Sequence, residues 1–265
     1  STIAVMNSIV PNRLLGRVCL VSGSTSGIGE AIARRLAAEG AQVVVNGRRA
    51  ELGEAVAAAI RAEGGAATFL PADLTQPDDC AQLVATTHET FGRLDALVHN
   101  AGNSKRGTVV DTPLADWQLL LSLNVTAAFL LAKAAIPVMQ AQGGGSIVHI
   151  GSVHTTVPKR NMAAYCASRG ALLMLSRQMA VDYMQDRIRV NVVNPGWVDT
   201  PGERELLVGL GQSPSVMDTA ARANPFGRLL GPDDIAKVVA YLVSDDSELV
   251  TGSAFDIHHE HPLSG

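Results

Sequence analysis

Aromatic residues are only 4% of this 265-residue chain, so a large core has to be built from Ala, Val, Leu and Ile. Cysteine is scarce as well. Cys19, Cys80 and Cys166 are odd in number and widely spaced, which fits neither a disulfide framework nor a zinc knuckle and points to a reducing, cytoplasmic setting. Charged residues are 17%, the net charge is -4 and the sequence pI is near 6.0, so nothing attracts the chain to phosphate backbones or anionic bilayers. Lys133 interrupts the longest apolar stretch, from Phe129 to Val138, well short of the ~18 residues a spanning helix needs. Neither nucleic acid nor a membrane is expected as a partner. Residues 1–16 have no basic segment followed by an apolar run and read as an N-terminal extension, not a secretory signal.

What the chain does hold is 47% hydrophobic residues and 25 glycines, or 9.4% against a usual ~7%. Disorder and coiled coil are poor descriptions of that composition. No repeat or boundary marks a second unit, so residues 17–265 read as one domain. Short β-branched runs alternate with Ala-rich helical stretches, the pattern of βαβ units around a parallel sheet buried on both faces. Strands are expected at Arg17–Ser22, Gln42–Asn46, Ala67–Leu70, Asp95–His99, Ser146–Ile150, Arg187–Val193 and Ser253–Ile257. Helices are expected at Ile28–Glu39, Ala50–Glu63, Asp78–Phe91, Leu114–Gln140, Met162–Gln185 and Pro232–Val243. Asp78, Asp116 and Asp233 suit helix N-termini, and Gly40, Gly64 and Gly92 suit helix ends. This is an α/β class chain with a doubly wound, seven-stranded parallel sheet. The Pro- and Gly-rich gap from Asn194 to Pro232 reads as irregular or mobile, with a lid-like insert at about 197–226.

After the first strand comes Ser22-Gly23-Ser24-Thr25-Ser26-Gly27-Ile28-Gly29 and then a helix. Glycines let backbone amides approach a pyrophosphate, and the helix start offers free N–H groups and a positive dipole end. Gly23, Ser24, Thr25, Ser26, Ile28 and Gly29 are thus expected to hold a dinucleotide. An acid at the end of the second strand would favour a free 2′-hydroxyl; this chain has Asn46-Gly47-Arg48-Arg49. Arg48 and Arg49 suit a 2′-phosphate, so NADP(H) is preferred while NAD(H) stays open.

Together with Asp73-Leu74, Asn100-Ala101-Gly102, Asn124, Ser152, Tyr165 and Asn194-Pro195-Gly196 in order, the chain resembles the short-chain dehydrogenase/reductase family in its single-domain form. The resemblance runs from about Arg17 to Ile257. It implies a Rossmann-type nicotinamide-cofactor fold with Asp73 and Leu74 near adenine. It also implies Asn100, Ala101 and Gly102 on the adenosine side, and Pro195, Gly196, Val198 and Thr200 near the carboxamide.

Interconverting a carbonyl and a secondary alcohol by hydride transfer needs a group that gives or takes a proton, and a free phenol with pKa ~10 does so at neutral pH only if its anion is stabilised. Ser152 after a strand and Tyr165 early in the next helix can both reach the carboxyl edge of the sheet. The resemblance makes Tyr165 the acid/base, has Ser152 bond the substrate oxygen, and has Asn124 hold a relay water. It also implies Lys four residues after the tyrosine, whereas Tyr165-Cys166-Ala167-Ser168-Arg169 places Arg there. Arg169 keeps the charge and the donors for ribose binding and phenolate stabilisation, but it does not readily release a proton. Two readings follow: an NADP-dependent oxidoreductase, and an NADP-binding sensor or assembly protein with little turnover.

The small-molecule substrate should meet Ser152, His154, Arg160, Tyr165 and Trp197. Lys159, Glu203 and Arg204 lie nearby, and their charges suit either a solvated rim or steering of an anionic or polyhydroxylated substrate. Residues 194–203 and 224–229 look like those of sugar dehydrogenases, which hints at a sugar, polyol or small ketone. His258, His259, Glu260 and His261 lack the spacing of a metal motif, so no metal is expected. The Ala-rich outer faces of the two long helices suit a homo-oligomer, and the family's dimer and tetramer contacts point to a homotetramer.

Overall fold

A computed structural model describes residues 9–213 and 215–257 of the chain. Seven strands, β1 (Val18–Ser22), β2 (Gln42–Gly47), β3 (Ala66–Pro71), β4 (Ala96–His99), β5 (Gly145–Ile150), β6 (Ile188–Pro195) and β7 (Ala254–Ile257), form one sheet in the order β3-β2-β1-β4-β5-β6-β7. Every pairing is parallel. The helices are α1 (Gly27–Ala38), α2 (Ala50–Ala62), α3 (Pro77–Phe91), α4 (Leu114–Leu121), α5 (Ala127–Ala141), α6 (Ala163–Tyr183), α7 (Pro201–Gly209), α8 (Ser215–Ala223) and α9 (Pro232–Val243).

Period-two alternation divides the strand residues between two apolar layers. Cys19 and Val21 of β1 join Val43 and Val45 of β2 under Ile32 and Leu36 of α1 and Ile235 and Val239 of α9. Leu20, Val44 and Leu97 face the other way, against Leu83 of α3, Leu131 of α5 and Met179 of α6. Among the described residues, Phe69 alone brings an aromatic ring into the buried part of either layer. Leu14 is buried in the first layer and Arg13 Nε donates to Glu39 Oε2 at 2.6 Å, which pins the segment before β1 to the end of α1.

Several expected boundaries move for local reasons. Asp95 precedes β4 because its carboxylate accepts from Val18 N–H at 2.8 Å and pairs with Arg93. Arg187 takes φ +57°, so β6 begins at Ile188. The single long helix expected over Leu114–Gln140 is divided by a π-helical turn at Ser122–Thr126. Taken together, Leu114–Ala141 is long and apolar enough to span a membrane by length and composition, its most apolar 18 residues having a mean hydropathy of 1.9; one Lys within it does not offset the rest. Leu120, Ala128, Leu131, Ala135 and Met139 of this stretch are buried in the protein interior, as in a core helix.

The gap expected to be irregular carries α7 and α8. The overlooked signal is Thr200-Pro201-x-Glu203: the Thr200 hydroxyl accepts from Glu203 N–H at 3.2 Å, and Pro201 supplies a preset φ in the first turn. The His258–His261 cluster and residue 214 lie outside the described residues.

Candidate active site

A doubly wound sheet opens its ligand crevice beyond the carboxyl ends of the strands where the winding reverses, here between β1 and β4. A cleft of about 970 Å³ lies there, walled by the loop after β1, the ends of β2, β4 and β5, α6 and the segment leading into α7. Gly23, Thr25, Ser26 and Ile28 line it. Ser26 takes the N-cap position of α1 without a side-chain cap bond, leaving first-turn amides available to an anion. Gly29 lines nothing but is sterically required: a Cβ there would lie 2.3 Å from the Gly23 carbonyl oxygen and 2.5 Å from Asn100 Nδ2. Ser24 is a correction to the expected direct contacts. It is fully buried behind the loop, donating from Oγ to the Val21 carbonyl at 2.7 Å and accepting from Asn46 N–H at 3.0 Å, so it ties β1 to β2.

Asn100 carries out a similar task across the switch point, its Nδ2 donating to the Gly23 carbonyl at 2.9 Å, while Ala101 N–H donates to Ser22 Oγ at 3.2 Å. Asn100, Ala101 and Gly102 also line the cleft, as do Asp73, Leu74, Pro195, Gly196, Val198 and Thr200. Arg48 and Arg49 are exposed on its wall, and neither forms an ion pair among the described residues. Uncapped amides and a loop that excludes a Cβ fit the pyrophosphate of a dinucleotide.

Ser152 and Tyr165 both line the same cleft. Ser152 leaves β5 with its N–H donating to Asn194 Oδ1 at 3.1 Å, and its Oγ accepts from His154 N–H at 3.1 Å. Tyr165 lies in the first turn of α6 and is 9% exposed. One turn on, Arg169 is buried with its guanidinium carbon 5.0 Å from the Tyr165 ring centroid. Its Nη1 donates to the Ile150 carbonyl at 3.0 Å, its Nε has no partner, and no carboxylate pairs with it among the described residues. Gly102 makes room for this group: a Cβ there would come within 2.8 Å of Arg169 Nη2 and 2.9 Å of Asn124 Oδ1.

Asn124 sits in the π-helical turn, a frequent device at functional sites, but it does not reach the cleft wall. Its Oδ1 accepts from Asn103 N–H at 2.9 Å and its Nδ2 donates to the Asn103 carbonyl and to Ser168 Oγ at 2.9 Å. Ser168 Oγ in turn donates to the Tyr165 carbonyl at 2.7 Å. The amide therefore clamps the loop after β4 to the start of α6.

Arg160 is a further correction, since it is exposed and off the cleft. His154 and Trp197 do line it; Trp197 Nε1 donates to Glu203 Oε1 at 3.0 Å, and Lys159 Nζ lies 5.6 Å from the Trp197 ring centroid. Sequence reasoning missed Arg106, whose Nη2 reaches Glu203 Oε1 at 3.2 Å, and the register-matched pair His99 and His149 on β4 and β5. Burial, then His149 and Arg169, push His99 down to about 3, and burial pushes His149 down to about 4. Both imidazoles are neutral and fully buried.

A family model described as enoyl-(acyl carrier protein) reductase matches residues 23–258. The chain belongs to the short-chain dehydrogenase/reductase family. It is 40% identical over 246 residues, 93% of this chain and 96% of the relative, to 2-(S)-hydroxypropyl-CoM dehydrogenase 3 of Xanthobacter autotrophicus. To the cis-4-hydroxycyclohexanecarboxylate dehydrogenase of Sinomonas cyclohexanicum it is 38% identical, over 89% of this chain and 93% of that one. The crystal structure of L-sorbose reductase from Gluconobacter frateurii, complexed with NADPH and L-sorbose, superposes with a TM-score of 0.88 at 30% identity, covering 97% of this chain and 100% of that one. As a short-chain dehydrogenase/reductase the protein is an oxidoreductase with a Rossmann-type fold for a nicotinamide cofactor.

Proposed function

We propose that this short-chain dehydrogenase/reductase interconverts a ketone and a secondary alcohol with NADP(H) as the preferred coenzyme. The observation that carries the reading is the buried Arg169 guanidinium beside the Tyr165 ring, with no acid paired to it among the described residues. A buried cation lacking a counter-ion favours an anion beside it, and the group able to become one here is the phenol. The coenzyme supplies or accepts the hydride at the reacting carbon. In the reducing direction Ser152 Oγ donates to the carbonyl oxygen and Tyr165 Oη delivers the proton to that oxygen; in the oxidising direction the same atoms take it back. Arg169 stabilises the phenolate left behind. Asn124 holds the Asn103 loop and the Ser168 turn around this pair.

Arg48 and Arg49 support NADP(H) by standing unpaired on the cleft wall at the end of β2, and no acid follows Asn46 until Glu51 to repel a 2′-phosphate, with NAD(H) the second choice. The relatives' names, hydroxypropyl-CoM, hydroxycyclohexanecarboxylate and sorbose, support a small hydroxy compound or the matching ketone as the substrate. Free thiols at Cys19, Cys80 and Cys166 suit a reducing compartment. Exposed Leu114 and Phe129 on α4 and α5 and Met174 and Val181 on α6 suit burial against further copies in a homotetramer, read by light scattering.

The second reading, nucleotide binding with little turnover, draws on the Arg169 Nη1 bond to the Ile150 carbonyl, which engages a donor that ribose binding would use. The deciding experiment follows coenzyme oxidation with a panel of ketones. Sustained turnover by the native chain supports the oxidoreductase; NADPH binding with turnover appearing only in Arg169→Lys supports the alternative.

A further inference from the structure

Arg106 stands on the loop after β4, lines the cleft opposite the α7 segment, and keeps only 23% of its side chain exposed. A guanidinium held this far from water normally fills its donors, as part-buried Arg189 does by placing Nη1 on the Leu242 carbonyl and Ser247 Oγ at 2.8 and 2.7 Å and Nη2 on the Ser244 carbonyl at 3.1 Å. Arg106 does not. It gives Glu203 a single Nη2 bond of 3.2 Å, and its Nε is buried without an acceptor. An unfilled buried donor on a charged group is destabilising, and a ligand that brings the missing acceptor relieves that cost. Glu203 is also prepared to give up its share. The same Oε1 accepts from Trp197 Nε1 at 3.0 Å, so the carboxylate keeps a partner when Arg106 turns to another anion. Lys159, over the Trp197 ring, adds positive charge to the same wall.

We infer that Arg106 is the specificity-determining residue of this site, binding through its Nε and Nη2 edge a carboxylate that the substrate carries away from its reacting carbon. Glu203 is the internal occupant that such a substrate displaces. A carboxylate offers two oxygens to that edge, which a sugar hydroxyl cannot match in charge or geometry. The inference rests on the ketone–alcohol reading for its setting, because the same cleft holds Ser152 and Tyr165.

The test uses the full chain with 4-oxocyclohexanecarboxylate and its methyl ester as paired ketones, and cyclohexanecarboxylate as a non-reacting ligand titrated calorimetrically into coenzyme-saturated protein. In Arg106→Gln the preference in kcat/KM for acid over ester should fall about 10- to 100-fold, and the Kd of cyclohexanecarboxylate should rise by a similar factor. Arg106→Lys should restore part of both. Glu203→Gln should tighten the carboxylate severalfold by removing the competing anion, a gain that damage to the fold would not produce. An acid-to-ester ratio that is the same in native and Arg106→Gln protein, or carboxylate binding that is absent from the native protein or insensitive to both substitutions, overturns the inference. Arg106-dependent carboxylate binding without turnover of either ketone leaves the inference standing and counts against the redox reading.

Discussion

The guanidinium carbon of Arg169 lies 5.0 Å from the centre of the Tyr165 ring, and both residues are held by the same two turns of α6. The i, i+4 spacing puts them on one helix face, Gly102 leaves the space, and the Ile150 carbonyl fixes one end of the fork. Arg169 keeps a positive charge at this position, on a planar guanidinium in place of an ammonium.

The first prediction concerns that charge. In Arg169→Met, alcohol oxidation near neutral pH should fall about 100-fold or more, because the phenolate loses its stabilising cation. Arg169→Lys should regain most of that rate. Steady-state kinetics of all three proteins, with the coenzyme Kd measured on each, checks this, and a loss matched in full by a weaker coenzyme Kd would assign Arg169 to binding alone.

Coenzyme choice gives the second prediction. Arg48 lines the cleft at the end of β2 with no ion-pair partner among the described residues. Arg48→Asp should raise the Kd of NADPH about 10- to 100-fold more than that of NADH, since the new carboxylate repels a 2′-phosphate and accepts from a 2′-hydroxyl. Fluorescence titration of both coenzymes reads the ratio; equal changes would remove Arg48 from coenzyme discrimination.

A third prediction follows from the buried histidines of the sheet. Burial lowers His99 to about 3 and His149 to about 4, below the ordinary 6.5 of an unfolded chain. The unfolded state therefore binds more protons in this range. The contribution is fully present above about pH 6.5 and is lost as pH falls towards 4 and then 3, at up to about 1.4 kcal/mol per pH unit per histidine. In His149→Gln the denaturation free energy should fall less steeply between pH 6 and 4 than in the native protein, by about that slope. Parallel curves would show that His149 does not titrate between the two states.

The parallel strands and the glycine loop were legible because each rests on local chemistry: β-branched runs for buried parallel strands, and Gly23, Gly27 and Gly29 around a helix start. Tyr165, Ser152 and Arg169 were singled out through the resemblance, and all three line the cleft. What escaped notice depends on long-range register. His99 and His149 face each other only because β4 and β5 pair at that step, and Arg106 meets Glu203 across 97 positions of chain. Asn124 and Ser24 were recognised as residue types, but their polar atoms turn inward to backbone, a choice that no spacing reveals. The helices of the insert were hidden by attention to its prolines, although Pro201 favours the first turn of a helix it would break further in.

The account stands on proton transfer by one hydroxyl. The direct measurement is single-turnover hydride transfer in Tyr165→Phe, with NADPH binding recorded on the same protein. The phenyl ring preserves packing under the Arg169 guanidinium and removes only Oη. Hydride transfer should slow by a factor of at least about 100 to 10,000, with the NADPH Kd within a few-fold of native. Turnover at the native rate in Tyr165→Phe would contradict the central claim and move the acid/base role to another group.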